Sequence, residues 1–389
     1  AQKRASGCRI GVMGDGNAAT NRIVRTVLCG VQASGVRSYD FGRGFEAMAR
    51  YAAMRFITDL VLYIAYDKNG GFTVRFFDST GLAADSAFER AFSTLFYSAG
   101  DYRTPERLYE TDRFDNLWTL YYSDLIAKVR CLLPPEGLNG FVCRFEHEEE
   151  IPAYSPAHTA MCAIAELGGD IRKAGFAEEK TASGQPLPTF RPDDAGNALC
   201  FNMGSRRYDS YHISALLIEQ LPGAVSSPLY FSGEWPQVYR TLAETRGLAY
   251  TDYAASEHAS ALSGTQMLEQ LWLTDAVYQI LYLAVLLKND PLLWQKESDS
   301  LPEFAVFTHY AQGNPNRAGI MERLSKLAVS KTGGQETVEP TKHDGVRLRF
   351  ADGTVTVIPG KAAGFRLISE AVSAEAAKEL CETVEEYLN

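Results

Sequence analysis

The sequence predicts a mixed, largely parallel α/β fold that ends in a small α+β unit. Three observations carry that expectation. Apolar runs of strand length alternate with segments of helical spacing near the N-terminus. The same strand–helix–strand rhythm returns between residues 141 and 253. From residue 345 onward the pattern changes to a hairpin, one further strand and a closing helix.

CRIGVM (8–13) is a short apolar run and reads as a buried strand, with GDGN as the turn after it. In TNRIVRTVLCGVQASG, Ile23, Val24, Val27, Leu28 and Val31 share one helical face, and Gly35 ends the helix. VRSYD is a second strand, GFEAMARYAAMRF a second helix and TDLVLYIA a third strand. LYIAYDKNGGF (62–72) then turns the chain into FTVRFFD, and a helix follows over DSAFERAFSTLFYS. LWTLYYSDLIAKVR (117–130) reads as a helix leading out of this unit. FVCRFE opens another strand, and PAHTAMCAIAELGGDI gives a helix, a Gly-Gly turn and a strand start. Residues 176–197 are turn-rich and polar, ALCFN is a short strand and HISALLIEQL a helix. SPLYFS and WPQVYRTLAETRGLAYTDY repeat the strand–helix–strand order. LWLTDAVYQILYLAVLLK (271–288) is the most apolar segment, but Asp275 and Gln279 interrupt it. It falls short of the ~20 apolar residues of a membrane span, so it reads as a buried helix. A polar interval rich in Gly, Pro and Asn follows. GVRLRF and TVTVIPG flank ADG as a hairpin across an Asp-Gly turn. FRLISEAV adds a strand, and SAEAAKELCETVEEYLN closes as a helix with Ser373 and Glu375 at its acidic start.

The composition is that of a packed soluble protein, with 46% hydrophobic and 22% charged residues over 389 positions. That length suits several domains. A net charge of −10 argues against non-specific nucleic-acid binding, which needs an excess of Lys and Arg. The seven cysteines are dispersed, odd in number and free of any CxxC, which predicts reduced, mostly buried thiols of a cytoplasmic protein. The first residues, AQKRASG, carry no leader pattern and read as a trimmed or tagged end. FEHEEE (145–150) has metal-type donors, but consecutive side chains cannot converge, so it reads as a solvated edge.

The order of elements resembles the α-D-phosphohexomutase family of phosphoglucomutases and phosphomannomutases. The resemblance runs through RIGVMGDGNAATNRIVRTVLCGVQASGVRSYDFG, through TDLVLYIAYDKNGGFTVRFFDSTGL, and through HDGVRLRFADGTVTVIPGKAAGFRLISEAVSAEAAKELCETVEEYL. It implies three mixed α/β domains plus a C-terminal α+β domain around a central cleft. The corresponding ranges are 1–130, 131–215, 216–320 and 321–389. It also implies a phosphoserine, a Mg²⁺ held by three aspartates, and loops for the sugar and its phosphate. Such chemistry works by in-line positioning and by neutralising developing charge.

The resemblance places Tyr66 at the nucleophilic serine, with Asp67 and Lys68 as its neighbours. A phenol is longer than a serine hydroxyl and cannot reuse its in-line geometry. The metal loop falls on Asn202, Met203, Gly204, Ser205, Arg206 and Arg207, without the three carboxylates, so no metal is expected. Asp209 nearby cannot replace them. The sugar loop has no clean counterpart in ASEHASALSG (255–264), although Asp275 matches the aspartate that starts the next helix. The phosphate loop maps onto Ile358 to Gly364 and keeps only Lys361 and glycines. At the first turn, Asn17 stands for an arginine beside a retained Asp15.

These departures predict a degenerate member, a pseudoenzyme of carbohydrate metabolism that binds, senses or scaffolds. Lys68, Arg206, Arg207 and Lys361 are its candidate phosphate-binding residues, with Arg206 and Arg207 alternatively pairing with carboxylates such as Asp209. The partners expected are a phosphosugar and a protein partner or second copy, with neither nucleic acid nor membrane. Two other readings stay open. One is an active phosphoglucomutase or phosphomannomutase, an isomerase with displaced catalytic groups. The other is an NAD(P)-binding oxidoreductase, since GDGNAA (14–19) fits G-x-G-x-x-A between a strand and a helix and Asp40 could hold a ribose hydroxyl.

Overall fold

The computed structural model describes residues 8–56, 58–67, 70–84, 86–98, 105, 107–146, 151–172, 184, 186–221, 228–253, 262–293, 296, 301–312, 319–320, 324, 338–340, 345–359, 364–386 and 388. The first stretch runs Arg9–Gly14 (β1), Ala18–Ala33 (α1), Arg37–Arg43 (β2), Glu46–Arg55 (α2), Leu60–Tyr66 (β3), Phe72–Phe77 (β4), Ser86–Tyr97 (α3) and Thr111–Arg113 (β5). The next runs Leu117–Arg130 (α4), Val142–Phe145 (β6), Pro156–Glu166 (α5), Asp170–Arg172 (β7), Pro188–Pro192 (β8), Leu199–Met203 (β9), Arg206–Tyr208 (β10) and Ser210–Gln220 (α6). Leu229–Phe231 (β11), Gln237–Thr245 (α7), Tyr250–Asp252 (β12), Gly264–Glu269 (α8), a 3₁₀ turn at Leu271–Leu273 and Ala276–Asn289 (α9) follow. The chain ends with Ala305–Gln312 (β13), Val338–Pro340 (β14), Val346–Phe350 (β15), Gly353–Pro359 (β16), Gly364–Ala371 (β17) and Ala374–Glu385 (α10).

Two compact units form: residues 1–84, 90–220 and 262–298 in one, and residues 85–89, 221–261 and 299–389 in the other. In the first unit, one sheet has the order β4-β3-β1-β2-β5, with β4 antiparallel and its other strands parallel. A second sheet, β10-β9-β8-β6-β7, joins parallel strands β6, β7 and β8 to the antiparallel pair β9 and β10. In the second unit, β11 and β12 pair in parallel, while β13-β17-β16-β15-β14 is antiparallel throughout. The mixed α/β architecture expected from the sequence is therefore present.

Local sequence explains the main elements. The Asn17 side chain caps α1 by accepting the Ala19 N–H at 2.9 Å. Thr20, Val24 and Leu28, four residues apart, bury the same face, and Val24 and Leu28 pack with Val12 of β1 and Ile64 of β3. Ser155 caps α5, with Pro156 at its first position. In the C-terminal sheet, Val346, Leu348, Val355, Val357, Phe365 and Leu367 meet Cys381 and Val384 of α10. Residues 271–288 are not one continuous helix: the 3₁₀ turn comes first, and α9 starts at Ala276 behind Asp275. Eleven of its 14 residues are buried, as its apolarity requires. Among the described residues no helix is long and apolar enough to cross a membrane.

Three further readings of the sequence need correction. β8 lies inside the segment read as turn-rich. Prolines at both ends hide a strand whose Phe190 is fully buried. β13 lies in the interval read as polar, because exposed Thr308 and Tyr310 alternate with inward residues. The thiols are not mostly buried: Cys143 and Cys381 are, Cys8, Cys162 and Cys200 are half-buried, and Cys29 and Cys131 are exposed. Cys29 sits on the solvent side of α1 and Cys131 at the end of α4.

The hairpin across ADG forms, with Phe350 paired to Gly353 and with Ala351 and Asp352 at the tip. Glycine is required because a β-carbon at residue 353 would collide with the Glu370 carbonyl. Gly353→Ala is expected to cost about 1–3 kcal/mol by overpacking, read as a lower urea midpoint.

Asp275 is almost completely buried, and its carboxylate accepts the N–H groups of Val277 (2.9 Å) and Tyr278 (3.3 Å) and the Tyr121 hydroxyl (2.8 Å). Burial pushes its carboxyl up from 3.8 to about 6, against these hydrogen bonds and the Arg50 charge. A raised carboxyl favours the fold when protonated. That contribution is complete below the unfolded value near 3.8 and is lost as pH rises through about 6. Between about pH 4.5 and about pH 7.5 it amounts to about 2 kcal/mol. Asparagine also caps helices well. Denaturant titrations at the two pH values should therefore show Asp275→Asn missing about that much of the wild-type pH dependence.

Candidate functional site

In open parallel sheets, functional groups collect where the carboxyl ends of the strands release the chain, at the point where strand order reverses. With β1 between β3 and β2, that point lies between β1 and β3. Asp15 occupies it. Its N–H donates to the Ile64 carbonyl at 3.1 Å. Its carboxylate accepts the Asn17 N–H at 2.8 Å and the Tyr66 N–H at 2.7 Å. This bridging carboxylate bears on the dinucleotide reading, because a pyrophosphate at the GDGNAA turn would meet a negative charge there. Asp40 lies within β2 rather than at its end, and its carboxylate accepts the Gly42 N–H at 3.0 Å.

Around this point the first unit gathers more charge. Glu46, in the first turn of α2, is buried. One of its oxygens accepts from the Asn197 amide at 2.8 Å, and the other pairs with Arg75 Nε of β4 at 2.9 Å. Burial raises its carboxyl, with Arg75, Asn197 and Arg50 acting in the other direction. Arg50 donates to the Gly81 carbonyl (3.1 Å), the Asn197 side chain (3.4 Å), and the Thr274 carbonyl (3.2 Å) and hydroxyl (3.0 Å). The buried Tyr63 hydroxyl donates to the Gly44 carbonyl at 3.4 Å. Its phenol is pushed well up by burial and by the charges of Asp15, Glu46 and Asp194. Arg43, at the end of β2, is exposed and lies over the Tyr154 ring at 4.1 Å. Tyr154 has φ 66°, a left-handed backbone that a bulky residue adopts only under constraint.

The loop after β8 is sewn into the same region. The Ala47 N–H donates to the Ala195 carbonyl at 3.0 Å, and the Ala276 N–H donates to the Gly196 carbonyl at 2.8 Å. The loop therefore touches the starts of both α2 and α9. It carries Asp193 and Asp194. Asp193 accepts the N–H groups of Asn197 (2.8 Å) and Ala198 (3.1 Å), and burial raises its carboxyl against those bonds. Sequence reading missed Glu46, Asp193, Asp194 and Asn197. The available signal was the Asp-Asp-Ala-Gly run directly after PTFRP.

The residues singled out from sequence fall in several places. Tyr66 ends β3, is partly exposed, and sets its ring edge-on to Phe72 at 5.5 Å. The connection behind it is tight: the Asp67 N–H donates to the Gly71 carbonyl at 2.8 Å, and the Gly70 N–H donates to the Asp67 carbonyl at 2.9 Å. Lys68 lies outside the described residues, as do Lys361 and residues 255–261. Ser263 and Gln266 cap α8 reciprocally. Ile358 is buried in β16, and Gly364 opens β17.

NMGSRR is a β9–β10 hairpin with Gly204 (φ 62°) and Ser205 at its tip. The Asn202 amide points to Glu146 at 3.5 Å. Arg206 and Arg207 are adjacent on one strand, so their side chains leave opposite faces and cannot grip one phosphate together. Arg207 Nε approaches Cys200 Sγ at 3.0 Å. Neither arginine pairs with Asp209, whose carboxylate accepts from the His212 N–H (3.0 Å) and ring (2.8 Å). Burial would raise the Asp209 carboxyl, but the His212 contacts outweigh it and hold it below its ordinary value.

Mg²⁺ needs several oxygen donors in octahedral geometry. Asn202, Gly204 and Arg206 supply one amide, no side chain and a cation. Among the described residues no group of three or more His, Cys, Asp or Glu side chains could hold a metal. The donor set does not fit.

No protein-family model matches the chain, and no curated protein matches it. Solved structures do. A phosphoglucomutase/phosphomannomutase family protein from Burkholderia thailandensis aligns over 100% of this chain and 90% of its own, with TM-score 0.65 and 13% identity. The pp63/parafusin phosphoglucomutase of Paramecium aligns over 99% and 90%, with TM-score 0.63 and 10% identity. An N-acetylphosphoglucosamine mutase from Aspergillus fumigatus, solved with GlcNAc-6P and magnesium, aligns over 99% and 83%, with TM-score 0.51 and 9% identity. At such identities the likeness speaks for architecture alone, and by architecture the chain has the α-D-phosphohexomutase fold.

Proposed function

We propose that this phosphohexomutase-fold chain does not turn over phosphosugars and serves in binding or sensing. The observation that carries the reading is the β3–β4 connection. Its sequence, LYIAYDKNGGF, holds neither serine nor threonine, its ends are joined by backbone bonds among Asp67, Gly70 and Gly71, and Tyr66 leans on Phe72 instead of standing free. The misfit of the Asn202, Gly204 and Arg206 donor set to Mg²⁺ supports it.

A hexose phosphate is the ligand class to test first, because the Aspergillus fumigatus mutase of the same fold was solved with one. Arg43 is the better anchor for its phosphate. It is exposed at the carboxyl edge of the first sheet and, among the described residues, pairs with no carboxylate. Arg206 and Arg207 stand on the hairpin of the second sheet.

An active mutase is the second reading, favoured by the aspartate pair Asp193 and Asp194 beside the start of α2. One set of measurements separates the two. A coupled assay with glucose 1-phosphate or mannose 1-phosphate and Mg²⁺ is expected to stay at background, and intact-mass spectra should show no phosphoryl adduct. Turnover, or a stable phosphate on Tyr66, overturns the binding reading in favour of the mutase. Calorimetric titration with hexose phosphates is expected to show binding that Arg43→Ala weakens roughly tenfold and Arg207→Ala leaves unchanged. Silence at millimolar ligand would leave a scaffold role alone.

A further inference from the structure

α5 brings a thiol and an imidazole together. His158 and Cys162 are four residues apart, one turn along the same face of the helix. Both are half-buried, so each can be reached from solvent. Cys162 Sγ stands 3.8 Å from His158 Nε2 and 3.9 Å from Nδ1. The other described histidines have different neighbours: His212 meets Asp209 at 2.8 Å and His309 meets Glu385 at 3.1 Å.

The pair has the bite of a metal site. Zn²⁺ holds a thiolate at about 2.3 Å and an imidazole nitrogen at about 2.0–2.1 Å, and tetrahedral angles put two such donors about 3.6 Å apart. The observed separations exceed that only slightly, and a turn of the ring about its bond to Cβ aims a nitrogen at the shared point. Nδ1 is the nitrogen suited to it. It accepts the Tyr154 N–H at 3.4 Å, so it carries a lone pair rather than a proton. That hydrogen bond is long and weak, and a metal on the same lone pair replaces it.

The surroundings hold the two donors in place. The Ser155 side chain accepts the His158 N–H at 3.2 Å and fixes the turn that carries the imidazole. The Trp118 and Tyr154 rings stand 6.5 Å and 6.4 Å from the His158 ring, and the Trp118 indole N–H donates to the Thr159 hydroxyl at 2.9 Å. Glu166, one turn beyond Cys162, accepts from the Tyr122 hydroxyl at 2.8 Å and from Arg130 at 2.9 Å, and so is engaged elsewhere. The site therefore has two protein donors, in keeping with the lack of any larger metal-binding group of His, Cys, Asp and Glu among the described residues. Sulfur and nitrogen donors select a zinc-class cation over Mg²⁺, which takes oxygen.

We infer that Cys162, as thiolate, and His158, as neutral imidazole, form a site for a zinc-class cation on α5, with water in the remaining positions. Binding exchanges the thiol proton for the metal: the S–H bond breaks, the sulfur–metal bond forms, and the proton passes to solvent. The site stands whether or not a hexose phosphate binds at Arg43.

The test is calorimetric titration of the full chain with Zn²⁺, in a Cys29→Ser/Cys131→Ser background that removes the two exposed thiols. One Zn²⁺ should bind per chain, and Co²⁺ in its place should show a sulfur-to-cobalt charge-transfer band. Cys162→Ser should abolish the band, and it and His158→Ala should each weaken zinc roughly tenfold or more while keeping the far-UV circular dichroism of the parent. In the unmutated chain, saturating zinc should shield Cys162 from alkylation, read by peptide mapping. Absence of zinc binding at millimolar metal overturns the inference. So does a folded Cys162→Ser protein that binds zinc as tightly as its parent. If the variants misfold, the alkylation map decides alone: shielding of Cys162 supports the site, and undiminished reactivity at Cys162 overturns it.

Discussion

A carboxylate buried at the start of a helix must be surrounded by donors or be neutralised, and the first unit is organised around one such group. Glu46 draws Arg75 in from β4 and Asn197 in from the loop after β8. Arg50, one turn further along α2, holds the same Asn197 and reaches Thr274 just before α9. Three segments apart in sequence thus meet at two side chains of one helix. Removing Glu46 would strand a guanidinium and an amide, and removing Asn197 would leave a buried negative charge short of a donor. Backbone bonds from Ala47 to Ala195 and from Ala276 to Gly196 reinforce the joint. Side chains outside this joint can change without loosening it.

That joint was not legible in the sequence, although most of the elements it joins were. α1 declares itself through apolar residues three and four apart behind an asparagine cap, and α9 through a largely apolar content behind an aspartate. β1 and β3 are runs too apolar to lie anywhere but inside. β8 escaped because two prolines bracket five residues, and β13 because half of its side chains face water. Local propensity is weak for short strands whose pairing is long-range. ALCFNMGSRR looks like a strand with a functional tip, yet it is a hairpin, and the loop that abuts α2 and α9 begins one strand earlier, at Asp193.

Asp15 and Asp275 illustrate how little of a site's geometry a motif carries. In the sequence both read as acidic residues at the start of a helix. In the fold, Asp15 fastens the β1 turn to the end of β3, while Asp275 is enclosed by Tyr121 and the first amides of α9. Asp15 is half-buried, whereas Asp275 is held nearly dry. Sequence assigns the residue type, whereas burial assigns its protonation, and burial depends on neighbours more than a hundred positions away.

The β3–β4 turn has a further meaning. Both of its stems are clamped, with Tyr66 opposite Phe72 and Asp15 fixing the upper stem. Closing a longer loop between such fixed ends adds only about 0.6 kcal/mol for each doubling of its length. The tip is thus evolutionarily modular. A lineage could trim it to silence or extend it to rearm it without renegotiating the sheet beneath, and a protein engineer could graft a reactive loop there on the same terms.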